Sequence, residues 1–164
     1  MAAFTVEGSA KVTDALYQDI PIDSLTASAA YRNKDITFDS IELNSGKAYI
    51  SATGKIARDQ SINAEVKGHD IPLNSISDYI MPYAIAAGTV DFAGTVNGSI
   101  PNPNAEIDAS GQNPIINGKK FTSIHAKAGI YKDHAEIKEI RLSDADSIYQ
   151  VADVAYNYSN KSIE

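Results

Sequence analysis

Apolar and polar residues alternate along most of this chain, which is the pattern of β-strands with one dry and one wet face. In the first run, 4–12, every second residue is apolar or glycine, and the residues between them are polar. Similar runs recur at 25–31, 48–56, 62–68 and 90–100. The pattern therefore predicts an all-β protein.

The alternation slips by one residue in the strand pattern that follows 25–31. Ile36 and Phe38 share one phase, whereas Ile41 and Leu43 share the other. Because one extra residue in a strand of an antiparallel pair produces such a slip, we expect a β-bulge near Asp39.

One stretch, 70–86, breaks this rhythm because its apolar residues are spaced by three and four positions. Pro72 is typical of a helix start, and Pro82 of a helix end or kink. The stretch therefore predicts one short amphipathic helix. Its apolar positions are Leu73, Ile76, Tyr79, Ile80 and Tyr83.

The sequence also contains a candidate internal repeat at a spacing of 99 residues. At that spacing the apolar positions of 6–43 fall on those of 105–142 without a gap, and with a one-residue insertion 48–56 continues onto 148–156. Few residues are identical, so shared β patterning alone is the other reading. A true repeat predicts similar layers stacked into an elongated antiparallel sheet.

We therefore expect one continuous elongated domain with three parts. Residues 1–69 form a first β-repeat unit, 70–87 a short helix and connector, and 88–164 a second β-repeat unit.

Composition restricts the partners. The net charge of −7 speaks against nucleic acid and against adsorption to anionic lipid headgroups. The chain has no cysteine, which excludes disulfides and thiolate metal sites. No apolar run reaches the roughly 18 residues of a spanning helix, and the N-terminus does not resemble a signal peptide. We expect an internal piece of a larger protein, with any targeting segment lying outside it.

Nothing in the sequence assembles a catalytic or metal site. His69, His125 and His134 are scattered and fit a solvated surface better than a ligand set. Asp144 and Asp146 resemble the start of a calcium loop, but the glycine and glutamate of an EF-hand do not follow at the required spacing. The sequence predicts a non-enzymatic protein without cofactor or metal.

The apolar strand face is the remaining functional candidate. Two such faces could close on each other as a sandwich core, or one sheet could curl into a trough that stays open to lipid chains. Composition does not separate these two arrangements.

A family resemblance favours the trough. The segment 88–109 reads GTVDFAGTVNGSIPNPNAEIDA, a glycine-punctuated strand followed by an Asn/Pro turn and another strand. It resembles the repeated unit of the TamB branch of the AsmA-like superfamily. The runs 38–43 and 137–142, each followed by a polar turn and a further strand, are also similar to that family.

The resemblance implies a non-enzymatic, lipid-conducting module with a taco-like hydrophobic groove, in a periplasmic protein of a diderm bacterium whose parent is anchored in the inner membrane. The implied partners are phospholipid acyl chains, neighbouring repeats of the parent chain and, in the TamB branch, an outer-membrane barrel protein during outer-membrane protein assembly. The residues expected to line the groove are Phe4, Leu25, Tyr31, Ile36, Phe38, Ile50, Phe92, Ile124, Ile130, Ile137 and Ile148. The alternative is a structural or adhesive closed-core β-module, a β-helix or a sandwich, of a bacterial surface protein.

Overall fold

A computed structural model of the chain describes residues 5–17, 20–75, 85–159 and 162–163. Within this part the chain is built almost entirely of β-strands. The strands are β1 (Thr5–Tyr17), β2 (Ile20–Arg32), β3 (Asp35–Ser45), β4 (Ala48–Ile56), β5 (Ser61–Pro72), β6 (Ala86–Ala87), β7 (Thr89–Ser99), β8 (Asn102–Gln112), β9 (Ile115–Ile116), β10 (Lys119–Lys120), β11 (Ser123–Ile130), β12 (His134–Ser143), β13 (Ile148–Asn157) and β14 (Ser162–Ile163).

Most of these strands form one antiparallel sheet, in which each strand lies beside the member of that sheet that precedes it along the chain. Its order is β1-β2-β3-β4-β5-β7-β8-β11-β12-β13-β14, and it does not close into a barrel. The three short strands left over form a second, small sheet in the order β10-β9-β6. The expected all-β fold with an elongated antiparallel sheet is confirmed.

The repeat expected at 99 residues is present in the strand pairing. β1 pairs with β2 in the same register as β8 pairs with β11: Gly8 lies opposite Ala29, and Ile107 lies opposite Ala128. We call β1–β4 the first unit and β8–β13 the second unit. Matching registers, rather than matching residues, establish the repeat.

Both units carry a bulge at the equivalent residue. The register between β2 and β3 shifts at Asp39, which has no direct partner on β2. The register between β11 and β12 shifts at Lys138, 99 positions later. The bulge expected near Asp39 is therefore confirmed, and it recurs in the second unit.

The one-residue insertion of the second unit lies later than the sequence comparison placed it. Ile50 pairs with Leu43 and Tyr149 pairs with Leu142, so the spacing of 99 still holds at the start of β13. The extra residue is Asp153, whose φ of +57° marks the local irregularity in β13.

A small hydrophobic core lies where the central strands of the main sheet begin or end. Residues 73–75 are helical directly after Pro72, as the proline predicts. Leu73 is only 2% exposed and packs with residues of the main sheet and with the small sheet. The rest of the expected helix, with Ile76, Tyr79, Ile80, Pro82 and Tyr83, lies outside the described residues. The buried cluster comprises Ile71, Leu73, Ala86, Val90 and Ile124, with Ala48, Ile50, Phe92, Ile116 and Leu142 against it.

Candidate functional site: the apolar face of the sheet

One face of the main sheet carries rows of apolar residues that cross the strands. In an antiparallel sheet, directly paired residues point to the same face, so the pairing defines each row. We name each row by its residue in β1. The Val12 row continues through Leu25, Leu43, Ile50, Gly68, Phe92, Ala109, Ala126, Ile140 and Val151.

Two further rows run beside the Val12 row, and none of the three contains a charged side chain. Because many members are alanine or glycine, the side chains of these rows occupy little of the space above the sheet. The Ala10 row continues through Ala27, Ile41, Ala52, Val66, Gly94, Ile107, Ala128, Ile137 and Val154. The Gly8 row continues through Ala29, Phe38, Gly54, Ala64, Val96, Ala105, Ile130, Ala135 and Tyr156. These three rows are the apolar face.

The opposite face, the polar face, is lined mainly by charged and hydroxyl-bearing residues. This alternation follows from the period-2 pattern of the sequence. The row between the Val12 and Ala10 rows on that side contains Lys11, Thr26, Glu42, Ser51, Lys67, Ala93, Asp108, Lys127, Glu139 and Ala152.

In the described part of the chain, the apolar face has no second sheet packed over its length. The main sheet is a single layer, and the small sheet covers only the side of the apolar face next to the Val12 row. Val12 and Val151, at the two ends of one row, are 47% and 53% exposed. The rows between them are mostly half-buried. A soluble protein rarely leaves an apolar surface of this continuity open without a binding role.

Close backbone approach explains some of the glycines on this face. A Cβ at Gly54 would lie 2.5 Å from the backbone oxygen of Asn63 and 2.7 Å from the Cα of Ala64. At Gly94 the corresponding distance to the backbone oxygen of Glu106 is 2.5 Å. Both positions require glycine, because any side chain would collide with the neighbouring strand.

The small sheet, together with Leu73, forms an end cap over the part of the apolar face nearest Val90 and Ile124. Ala86 is buried, and Pro114 is among the largest fully buried side chains described. These contacts cover the side of the apolar face next to the Val12 row, whereas the opposite side, where Tyr31 pairs with Ile36 beside the Gly8 row, is exposed.

Lys119 connects the end cap to β13 through a side-chain hydrogen bond. Its ammonium donates hydrogen bonds to Tyr149 Oη at 2.7 Å and lies 2.9 Å from Asp144 Oδ2. The ammonium also lies 5.0 Å from the ring centroid of Phe121, within cation–π range. The hydrogen bonds to Tyr149 and Asp144 raise the pKa of Lys119. The Lys119 ammonium and then the backbone N–H of Asp146 lower the pKa of Asp144.

The structure brings most of the residues expected to line the groove onto one face. Ile124 lies in the core under the end cap, and Tyr31 and Ile36 pair next to the Gly8 row. Phe4 lies outside the described residues. The others on the apolar face are Leu25, Ile50 and Phe92 in the Val12 row, Ile137 in the Ala10 row, and Phe38 and Ile130 in the Gly8 row.

Ile148 is on the wrong face. It pairs with Ser143, on the polar side, and is 67% exposed. The expectation treated Ile148 as the equivalent of a residue in β4 by placing the insertion before β13. Because the insertion lies at Asp153, Tyr149 takes the inward position instead.

Sequence reasoning also left several apolar-face residues out. Val66 and Ile107 lie in the Ala10 row and Val151 lies in the Val12 row. The alternation within their own strands predicts these positions. The end cap had no comparable signal, because its strands are only two residues long.

Several charged groups of the polar face are paired with one another on the surface. His125 Nε2 lies 2.8 Å from Asp108 Oδ1, and Lys138 Nζ donates to Glu106 Oε1 at 2.8 Å. The Lys138 ammonium lowers the pKa of Glu106. A shallow depression of about 450 Å³ lies among these side chains. No group of metal-ligating side chains occurs in the described ranges.

No protein-family model, curated protein or solved structure matches this chain. None of the helices in the described ranges is long and apolar enough to cross a membrane. The resemblance to the TamB branch therefore remains an interpretation of the motifs in residues 38–43, 88–109 and 137–142.

Proposed function

We propose that this chain is a non-enzymatic lipid-conducting module whose apolar face shields phospholipid acyl chains. The single observation that carries the proposal is the continuity of the three uncharged rows across ten strands, with no second sheet over their length in the described part of the chain. Acyl chains need only apolar contact, so such a face needs no specific polar group to hold them.

The energetics are sufficient for the proposed ligand. Burying one chain of about sixteen carbons would contribute on the order of 10 kcal/mol at ~0.8 kcal/mol per methylene, before the costs of ordering the ligand. The alanines and glycines of the Ala10 row would leave room for an acyl chain against the backbone.

The proposed setting is the periplasm of a diderm bacterium, where a lipid moving between inner and outer membranes must cross water. In this proposal the polar face is turned to solvent, and neighbouring repeats of a longer parent chain extend the rows. A role in outer-membrane protein assembly with a barrel partner is the further implication of the TamB resemblance.

The test is native mass spectrometry, with lipid extraction, of the chain expressed in a diderm host. The proposal expects co-purifying phospholipid. The variant Val96→Asp places a carboxylate in the Gly8 row, and Thr95→Asp places the same group one residue away on the polar face. Valine and threonine are close in size, so the two variants differ mainly in the face that they charge.

The proposal expects Val96→Asp to lose lipid and Thr95→Asp to retain it, with both variants folded by circular dichroism. A protein free of lipid after purification, and taking none up on titration with phospholipid vesicles, would reject the proposal. That outcome would favour the structural or adhesive β-module instead.

A further inference from the structure

Each unit of the repeat contains an equivalent tight hairpin at the same end of the sheet. In the first unit Tyr17 pairs with Ile20, at the ends of β1 and β2. In the second unit Ile116 pairs with Lys119, each 99 positions later, in β9 and β10. Their matching register makes these hairpins counterparts, although their surroundings differ.

The hairpin of the second unit is occupied by a strand from elsewhere in the chain. β6 pairs with β9, with Ala86 opposite Ile116 and Ala87 opposite Ile115. Asn117 closes the contact at one end: its backbone N–H donates to the Ile85 carbonyl oxygen at 2.8 Å, and its side-chain Oδ1 accepts from the Ile85 N–H at 2.9 Å. The occupant is thus a short extended segment of small apolar residues.

The hairpin of the first unit has no such strand beside it within the described ranges. Leu16 is 77% exposed, Tyr17 62% and Ile20 49%. Their counterparts Ile115 and Ile116 are only partly exposed. Position 20 also carries an apolar side chain where the second unit has the ion-paired Lys119, so this hairpin is the more apolar of the two.

We propose that the first-unit hairpin is a docking site for a β6-type segment, an extended strand of small apolar residues like 85–88, supplied by another unit of the same repeat. The occupied hairpin of the second unit provides the precedent, with the same register and a defined strand partner. Strand addition of this kind combines backbone hydrogen bonds with side-chain burial. The inference does not depend on lipid binding by the apolar face.

The experiment titrates the full ¹⁵N-labelled chain with a synthetic peptide of residues 71–90 and follows amide chemical shifts by NMR. We expect saturable shifts concentrated at Leu16, Tyr17 and Ile20, and unchanged amides at Ile115 and Ile116, because the chain's own β6 occupies that hairpin.

Two variants and one altered peptide make the test specific. Tyr17→Asp should abolish the shifts, whereas Ile148→Asp, an equally exposed apolar position on the polar face, should leave them unchanged. A peptide carrying Ala87→Pro should bind less tightly, because proline removes a backbone donor.

Three outcomes would overturn the inference. They are an absence of shifts at millimolar peptide, shifts confined to the second-unit hairpin through exchange with β6, and shifts spread over the apolar face without saturation at Tyr17.

Discussion

Asp14 and Asn113, 99 positions apart, both adopt the left-handed backbone conformation, with φ of +54° and +52°. Each lies where a long strand leads into the tight hairpin of its unit. Asp and Asn tolerate this conformation better than other residues with a Cβ, because their short polar side chains can bond locally. The repeat therefore extends to the irregular parts of the backbone, which shared alternation alone would not reproduce.

The end cap should be the most sensitive part of the molecule to truncation. Leu73→Ala removes a nearly fully buried side chain from the core and should lower the free energy of unfolding by roughly 2–5 kcal/mol. Ile148→Ala, at an exposed position, should change it by less than about 0.5 kcal/mol. Urea denaturation followed by circular dichroism measures both, and equal values would contradict the location of the core.

Two glycines of the Gly8 row should respond oppositely to alanine. Gly54→Ala brings a Cβ against the backbone of β5 and should destabilise the protein by roughly 1–3 kcal/mol. Gly8→Ala meets nothing within 4 Å and should be neutral or stabilising by up to about 1 kcal/mol. Thermal unfolding of the two variants compares them, and a neutral Gly54→Ala would mean that β4 and β5 lie further apart.

The stabilisation that the ion pair of Lys119 with Asp144 contributes should depend on pH. Because the pKa of Asp144 is lowered from its ordinary value of 3.8, its contribution is complete above that value and is lost as pH falls through the folded pKa. NMR titration of the Asp144 carboxyl should show a pKa below 3.8 that rises in Lys119→Met. Lys120→Met is the matched control and should leave it unchanged.

The bulge at Lys138 keeps Ile137 and Ile140 on one face although they are three positions apart. Deleting Lys138 leaves them two positions apart, so regular alternation keeps both on the apolar face, and we expect cooperative unfolding to be retained. Deleting Glu136 instead makes Ala135 and Ile137 neighbours, which removes one of them from the apolar face, and we expect cooperative unfolding to be lost. Lys138→Ala removes a surface ion pair but keeps the bulge, and its urea midpoint should stay close to that of the parent protein. Equal behaviour of the two deletions would contradict this interpretation.

The sequence predicted the long strands and the first bulge well, because an uninterrupted alternation of apolar and polar residues indicates which side chains share a face. The slip between Phe38 and Ile41 was visible because apolar residues flank it on both sides. The slip at Asp153 was hidden because Val151 and Ala152 are both apolar, so either phase of β13 looked acceptable. That ambiguity put Ile148 on the wrong face.

The end cap could not be predicted for a different reason. Its strands are two residues long and are joined by tertiary pairing between Ala86 and Ile116, which are far apart in sequence. A strand can be recognised from alternation only when it spans several residues. The pairing of Ala86 with Ile116 depends instead on where the neighbouring long strands end.

The length of the apolar rows depends on the number of strands in the sheet and not on the length of each strand. Because the rows cross the strands, each added strand lengthens the apolar face by about 4.8 Å and leaves its width unchanged. The six inter-strand spacings from β1 to its equivalent β8 therefore correspond to about 29 Å, close to the roughly 30 Å hydrocarbon thickness of a bilayer. Gene duplication of such a unit would change span in steps of one membrane's interior while preserving the cross-section.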